Sequence, residues 1–401
     1  MELDHLLDRL DQVGGSDLHL KYGACPSARS DGTIFSLGGS PLTAGELHDA
    51  LTLITEGSPA RREEFERTGE VDTGYVTEAG NRFRVSAFRQ RGQISMVLRR
   101  VPSDPRPLED LGIPEGVMRL ADSKHGLIIV SGATGSGKST TLAGMISQLN
   151  HSRACHIVTI EDPIEMVYED GQSFITQREI GVDTLSFGHA LRRVLRQDPD
   201  VIVIGELRDR ETAEAALSAG ESGHLVFTTM HTSDAIETVN RFVEFFPGDR
   251  QEAVRHTLAG VLRGAVAQRL LPKVGGGLVP AVEVLVNTAR AADLIREPLK
   301  VEELADVIDG GEVHGMQSFD DHLTTLVLDG LVERHTAVGA ASEPHDFVLK
   351  LDKARRLREN RQEPTALEDP GKPPEPEVPL LRRAEPNGDS FAAEANSGQD
   401  A

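Results

Sequence analysis

Between residues 132 and 139 the chain reads Gly132-Ala133-Thr134-Gly135-Ser136-Gly137-Lys138-Ser139, a glycine followed by four free positions and then Gly-Lys-Ser. That spacing suits a loop wrapped around a phosphate group. The glycines let successive backbone N–H groups converge on an anion, and a helix starting at the lysine aims the positive end of its dipole at the same spot. Lys138 would reach the outer phosphates, Ser139 would ligate Mg²⁺, and Thr140 would open the helix. The plain alternative is a glycine-rich strand-to-helix turn that binds nothing. Cleaving a triphosphate held there takes two carboxylates, one for the metal or its water shell and one to orient and deprotonate the attacking water. Two acidic clusters follow short apolar runs: Glu161-Asp162-Pro163-Ile164-Glu165 after residues 157–160, and Glu206 after residues 201–204. Glu206 is the metal-side candidate because it ends a strand-like run; Glu161, Asp162 or Glu165 is the candidate base. Each could instead be an acid at a helix N-terminus, Asp162 before Pro163 above all. His224 and His231 flank another apolar run, where a single histidine is usually structural but a pair is placed to sense a γ-phosphate.

These groups need a scaffold that brings strand ends together. Residues 127–130 are apolar throughout, as a central parallel strand requires, and residues 140–149 continue as a helix. Strand and helix then alternate: strands at 156–160, 201–205 and 225–229, helices at 184–196 and 210–219. That is an α/β pattern with a doubly wound parallel sheet, whose ligands sit at the carboxyl ends of the strands. Further on, residues 252–269 and 301–308 read as helices, 275–277 as a turn and 278–286 as a strand. The amino-terminal part is mixed. Leu3, Leu6, Leu7 and Leu10 recur at helical spacing, and residues 16–20 alternate as a short strand. Residues 43–54 and 59–67 are helical with Thr43 and Ser58 as caps, and residues 70–100 form an antiparallel sheet turning at Arg91-Gly92. Six arginines fall between residues 82 and 100, on a face that either balances nearby carboxylates or meets phosphate. The proline-rich VPSDPRP is the clearest linker. The expected division is an N-terminal α+β domain over 1–101, a linker over 102–114, a nucleotide-binding domain over 115–358 and a disordered acidic, proline-rich tail over 359–401.

The 401 residues suffice for two or three domains with proper cores. With 64 acidic against 42 basic residues, a net charge of -22, the chain does not fit a general nucleic-acid binder, although a local basic groove stays open. Cys25 and Cys155 stand far apart with no pairing pattern, which points to an intracellular protein free of structural zinc. The first twelve residues carry charge throughout and read as an amphipathic helix rather than a signal peptide. No apolar stretch approaches the roughly 20 residues of a membrane span, so any membrane role goes through a partner.

The blocks GATGSGKSTT, TIEDPIE, RQDPDVIVIGELRD and ESGHLVFTTMHT, with SDLHL before them, resemble the secretion and pilus ATPase superfamily. Within it the chain is most similar to the twitching-motility retraction ATPases of the PilT type, through its single small N-terminal domain, the absence of a four-cysteine zinc insertion, and the stretch ARAADLIRE. The resemblance implies a RecA-like P-loop ATPase core behind a smaller α+β, PAS-like domain, with ATP and Mg²⁺ as cofactors. It also implies a cytoplasmic homohexamer, peripheral at the inner membrane through a pilus platform protein, that powers retraction. By position, Lys138 and Ser139 belong to Walker A, Glu165 aligns with the general base of an acidic box shared with Glu161 and Asp162, and Glu206 matches the Walker B glutamate. His231 matches the histidine box and His224 opens the block before it. Arg84 and Arg99 match paired arginines presented to nucleotide; Arg196 and Arg208 are weaker candidates with Asp198 and Asp209 nearby. Leu294 and Ile295 either carry a retraction signature or pack in a core. An accessory retraction paralogue, an extension or type II secretion ATPase, and, in a different class, a slowly hydrolysing nucleotide-binding regulator remain open. Ala133 stands where the family commonly has proline, Cys25-Pro26 where it has two prolines, and the tail is longer.

Overall fold

In the computed structural model, which describes residues 2–30, 32–103 and 105–362, the strands fall into two sheets. The first is β1 (Asp17–Lys21), β2 (Ser27–Ser30), β3 (Thr33–Ser36), β4 (Glu70–Val76), β5 (Arg82–Gln90) and β6 (Gln93–Arg100), antiparallel throughout in the order β3-β2-β1-β6-β5-β4. Alternation along β5 sends Phe83, Val85 and Ala87 inward, where they pack against Leu3, Leu6, Leu7 and Leu10 of the helix Leu3–Gln12 and Leu47 and Leu51 of the helix Ala44–Thr55. β5 and β6 are joined at Arg91-Gly92 with φ of 51° and 76°, the left-handed pair that a two-residue hairpin of matching twist requires. Thr43 closes a capping box with Glu46. Ser58 precedes the helix Pro59–Thr68 without capping it, because its hydroxyl donates to the Gly181 carbonyl instead.

The second sheet is β7 (Gly126–Ser131), β8 (His156–Glu161), β9 (Phe174–Glu179), β10 (Val201–Ile204), β11 (Leu225–Met230), β12 (Leu262–Pro272) and β13 (Leu278–Val286), in the order β13-β12-β7-β11-β10-β8-β9. All neighbours are parallel except β12 and β13. Leu127 and Ile129 of β7 enter the core on one face, Ile128 and Val130 that on the other, so no side of the strand meets water. That explains the unbroken apolar run, and each such side chain contributes about 1.5–3 kcal/mol by leaving water. Residues up to Arg355 form one compact unit.

Several sequence expectations need correcting. The helix expected over 252–269 is the helix Gly248–Val261 followed directly by β12. Leu262, Ala265, Val266 and Ala267 are apolar on both faces, so periodicity could not separate helix from strand; they fill the slot between β7 and β13. Gly264 belongs there because a side chain would meet the Leu285 carbonyl. The helix expected over 184–196 is confined to Phe187–Val194, capped by Ser186, since Thr184 is held by a bridge to Ile180. The stretch expected as a helix over 301–308 opens as a 3₁₀ turn, Pro298–Glu303, before the helix Leu304–Asp309. No helix follows Asp162, so it caps none. Helix Pro344–Gln362 runs past residue 359, where the tail was expected to begin, and residues 363–401 lie outside the described residues.

Candidate active site

Strand register gathers the chemistry. Thr228 of β11 pairs with Ile204 of β10, Ile204 with Ile160 of β8, and Met230 of β11 with Ser131 of β7. The residues that follow these strands therefore emerge at one edge: Gly132 after β7, Glu161 and Asp162 at the end of β8, Gly205-Glu206 after β10 and His231 after β11. All but Gly132 line a cleft of about 590 Å³. Thr134, Gly135, Gly137, Lys138, Ser139 and Thr140 form one wall, while Gly132, Ala133 and Ser136 stand behind it. The helix Lys138–Ser152 points its N-terminus at the cleft.

The loop is folded around β12. Gly132, with φ of 145°, lies where a side chain would collide with the Gln268 carbonyl, and a Cβ on Gly137, with φ of 90°, would stand 2.8 Å from the Gln268 amide nitrogen. That amide donates to the Ser136 carbonyl and accepts the Thr141 hydroxyl at 2.8 Å. Gln268 falls in the stretch expected as helix; the signal that marks it is the polar pair Gln268-Arg269 interrupting an apolar run. The Lys138 ammonium donates to the carbonyls of Gly132 at 2.8 Å and Ala133 at 3.1 Å. Burial pushes its pKa down, and the charges of Glu206 and Glu165 oppose that shift.

Glu206 sits at the centre of a short polar chain. Its Oε1 lies 3.2 Å from His231 Nε2, and its Oε2 accepts from Arg208 at 2.8 Å. His231 Nδ1 lies 3.5 Å from Lys138 Nζ. An Nε2–H tautomer satisfies both contacts, donating to Glu206 and accepting from the lysine. Arg208 thus pairs with Glu206 rather than Asp209, which caps the helix Arg210–Glu221 through the Thr212 N–H.

The three acids of the first cluster separate by environment. Glu161 accepts the Thr159 hydroxyl at 2.7 Å, the Gln177 amide at 3.2 Å and the Glu165 backbone N–H at 3.2 Å, so it braces the loop. Burial pushes its carboxyl up, and those hydrogen bonds pull it back only in part. Gln177 of β9 also donates to the Met166 carbonyl and accepts the Tyr168 N–H, a strut that sequence reading missed. Asp162 is taken by Arg61 at 2.8 Å. Glu165 keeps its carboxylate in the cleft, paired there with Arg84.

The two arginines part company, as do the two histidines. Arg84 and Arg99 lie directly opposite on β5 and β6, but only Arg84 lines the cleft. Arg99 donates to Asp17 at 2.7 Å; burial raises the Asp17 carboxyl, and the Ser16 hydroxyl with Arg99 outweighs it, leaving the pKa below the ordinary value. The arginine face therefore balances carboxylates at Asp17, Glu165 and Glu179 and also meets the cleft through Arg84. His224 precedes β11 whereas His231 follows it, which sets them roughly 20 Å apart at about 3.3 Å per residue. His224 is placed by Ser222 and the Ala219 carbonyl and does not reach the cleft. Arg196 does not line it either.

A strand, a glycine loop closed on a lysine, and carboxylates at neighbouring strand ends define a P-loop nucleotide-binding protein. The Type II/IV secretion system protein family matches residues 74–291, more than half of the chain, and the chain belongs to it. It is 42% identical to the type IV pilus retraction ATPase PilT of Pseudomonas aeruginosa, over 86% of this chain and 100% of that protein. It is 40% identical to the type IV pilus ATPase PilU of the same organism, over 88% and 91%. A crystal structure of the pilus retraction motor PilT with bound ADP superposes with a TM-score of 0.78 at 41% identity, covering 86% of this chain and 98% of that one.

Proposed function

We propose that this protein is a motor ATPase that hydrolyses ATP to withdraw type IV pili. One observation carries the reading: Lys138, Ser139, Glu165, Glu206, His231 and Arg84 converge on one cleft in a chain that matches a retraction ATPase over that protein's whole length. Lys138 holds the outer phosphates, leaving the loop carbonyls it now meets. Ser139 and Glu206 both put oxygen donors in the cleft and would hold Mg²⁺, which would supply positive charge against the phosphates. Glu165 takes the proton of the attacking water, and Arg84 trades its carboxylate partner for phosphoryl oxygens. His231 orients Glu206. Arg99 would reach nucleotide after the N-terminal sheet moves or across a subunit boundary of a homohexamer, and His224, at the far end of β11, only across such a boundary.

The chain works in the cytoplasm against a membrane platform protein; among the described residues no helix is long and apolar enough to cross a membrane. Phosphate release by the purified chain tests the chemistry, and a count of surface pili after gene deletion tests the direction of force. Hyperpiliated, non-motile cells are expected. Bald cells would point to extension, and absence of phosphate release from an ATP-bound chain would favour a regulator.

A further inference from the structure

Glu179, the last residue of β9, has a side chain with no exposure to solvent, yet it does not line the cleft. A carboxylate so far from water must be met by donors, and these come from three segments. Its Oε1 accepts the Gly74 backbone N–H of β4 at 2.7 Å. Its Oε2 accepts from the Arg82 guanidinium of β5 and from the Ile164 backbone N–H at 3.2 Å. Gly74 and Arg82 belong to the N-terminal sheet, and Ile164 is the residue before Glu165. The approach is close enough to demand glycine: a Cβ on Gly74 would stand 2.7 Å from the Arg82 guanidinium and 2.8 Å from each Glu179 oxygen. Glu179 itself is fixed from behind. Its N–H donates to Asp183 Oδ2 at 2.8 Å, and its carbonyl accepts the N–H groups of Asp183 and Thr184 at 2.9 and 3.2 Å.

We propose that Glu179 is a positioning residue for ATP hydrolysis, the anchor through which the N-terminal sheet sets where Glu165 sits. The inference rests on the assignment of Glu165 as the base. Arg84 lies two residues beyond Arg82 on the same face of β5, so the movement that strains the Arg82–Glu179 pair also carries Arg84 relative to Glu165. One carboxylate therefore registers the sheet, the base and the cleft arginine against each other.

The test uses the full chain with Glu179→Gln, Arg82→Gln, Gly74→Ala and Glu165→Gln, read by steady-state and single-turnover phosphate release and by affinity for a fluorescent ADP. Misplacing a base by about 1 Å costs up to about 100-fold, so Glu179→Gln and Arg82→Gln are expected to lower kcat roughly 10- to 100-fold with KM and ADP affinity within about twofold. Gly74→Ala should act in the same direction, and the Glu179→Gln/Arg82→Gln pair should be no worse than its poorer member. In a Glu165→Gln background, Glu179→Gln should add nothing. An unchanged kcat in both Glu179→Gln and Arg82→Gln, with Glu165→Gln inactive, overturns the inference alone. So does a full further loss when Glu179→Gln is added to Glu165→Gln, which a merely structural role would give. Wild-type turnover in Glu165→Gln overturns the base assignment and the inference with it. Where Glu179→Gln does not fold, Arg82→Gln, whose side chain is 18% exposed, carries the test.

Discussion

Gln268→Leu is the sharpest probe of how the phosphate loop is held. The side chain is 2% exposed and joins the Ser136 carbonyl to the Thr141 hydroxyl, one on the loop and one in the helix after it. Leucine keeps most of the volume and neither hydrogen bond. Each buried polar group left without a partner costs about 1–3 kcal/mol, so the substitution should destabilise the chain by about 2–4 kcal/mol after local relaxation. At about 2–4 °C per kcal/mol for a domain of this size, the apparent melting temperature should fall by roughly 5–15 °C. The loss should fall on function too, because Gln268 also lies against Gly132 and Gly137. KM for ATP should rise several-fold, and added ADP should restore less of the melting temperature than in the parent. Gln268→Glu keeps the acceptor for Thr141 but turns a second acceptor toward the Ser136 carbonyl, so its ATP affinity should fall further. Thermal melts with and without ADP, beside steady-state phosphate release, measure all of this. A shift below about 2 °C with unchanged KM would refute the view that β12 shapes the loop.

Glu206→Gln should leave ATP bound and turnover nearly absent; substantial residual phosphate release would remove Glu206 from the metal side. Lys138→Ala should abolish both turnover and the thermal shift on adding ADP, checked in the same assays. Ile295→Ala should destabilise the fold by about 2–5 kcal/mol, since Ile295 and Leu294 are buried against Leu304 and Val301, and denaturant melts would show it. Glu283 of β13 and His322 of the helix Phe319–Leu328, which meets the neighbouring Val282, give a pH test. Burial pushes Glu283 up to about 7 and His322, which accepts the Val282 N–H, down to about 4. The folded state thus binds Glu283's proton where the unfolded chain has lost it, a contribution lost as pH rises from about 4.5 to 7. It refuses the His322 proton that the unfolded chain takes, a contribution lost as pH falls from about 6.5 to 4. The two oppose each other, so His322→Gln should make stability fall with pH between 5 and 7, and Glu283→Gln should make it rise between 4.5 and 6.5. Parallel profiles in urea melts would contradict both.

Most of the scaffold was legible because its signals are local. The loop spacing, the apolar runs 127–130 and 201–204 and the alternation along β5 each fix an element and its burial without help from distant residues. The cleft followed, since acids at the ends of neighbouring parallel strands must meet. What escaped depends on pairing across the chain. Residues 264–267 are small or apolar on both faces, and only their neighbours β7 and β13 make the segment a strand. The sorting of Glu161, Asp162 and Glu165 into brace, clamp and open carboxylate depends on Gln177, Arg61 and Arg84, up to 101 residues away in sequence. His224 and His231 looked like a pair because the strand between them is short in sequence, though a strand is the longest way to span seven residues.

The seam that ties Gly74, Arg82 and Arg84 to the core lies along one border of the N-terminal sheet, at β4 and β5, with Arg61 of the helix Pro59–Thr68 beside it, while β3 forms the opposite border. Six strands at about 4.8 Å spacing put roughly 24 Å between those borders. A swing of about 10° around the seam would therefore sweep Ile34 and Phe35 through roughly 4 Å, while the carboxylates at the pivot shift by a fraction of that. Such a rotation would turn a small shift at the cleft into a several-fold larger displacement at the exposed β3 border.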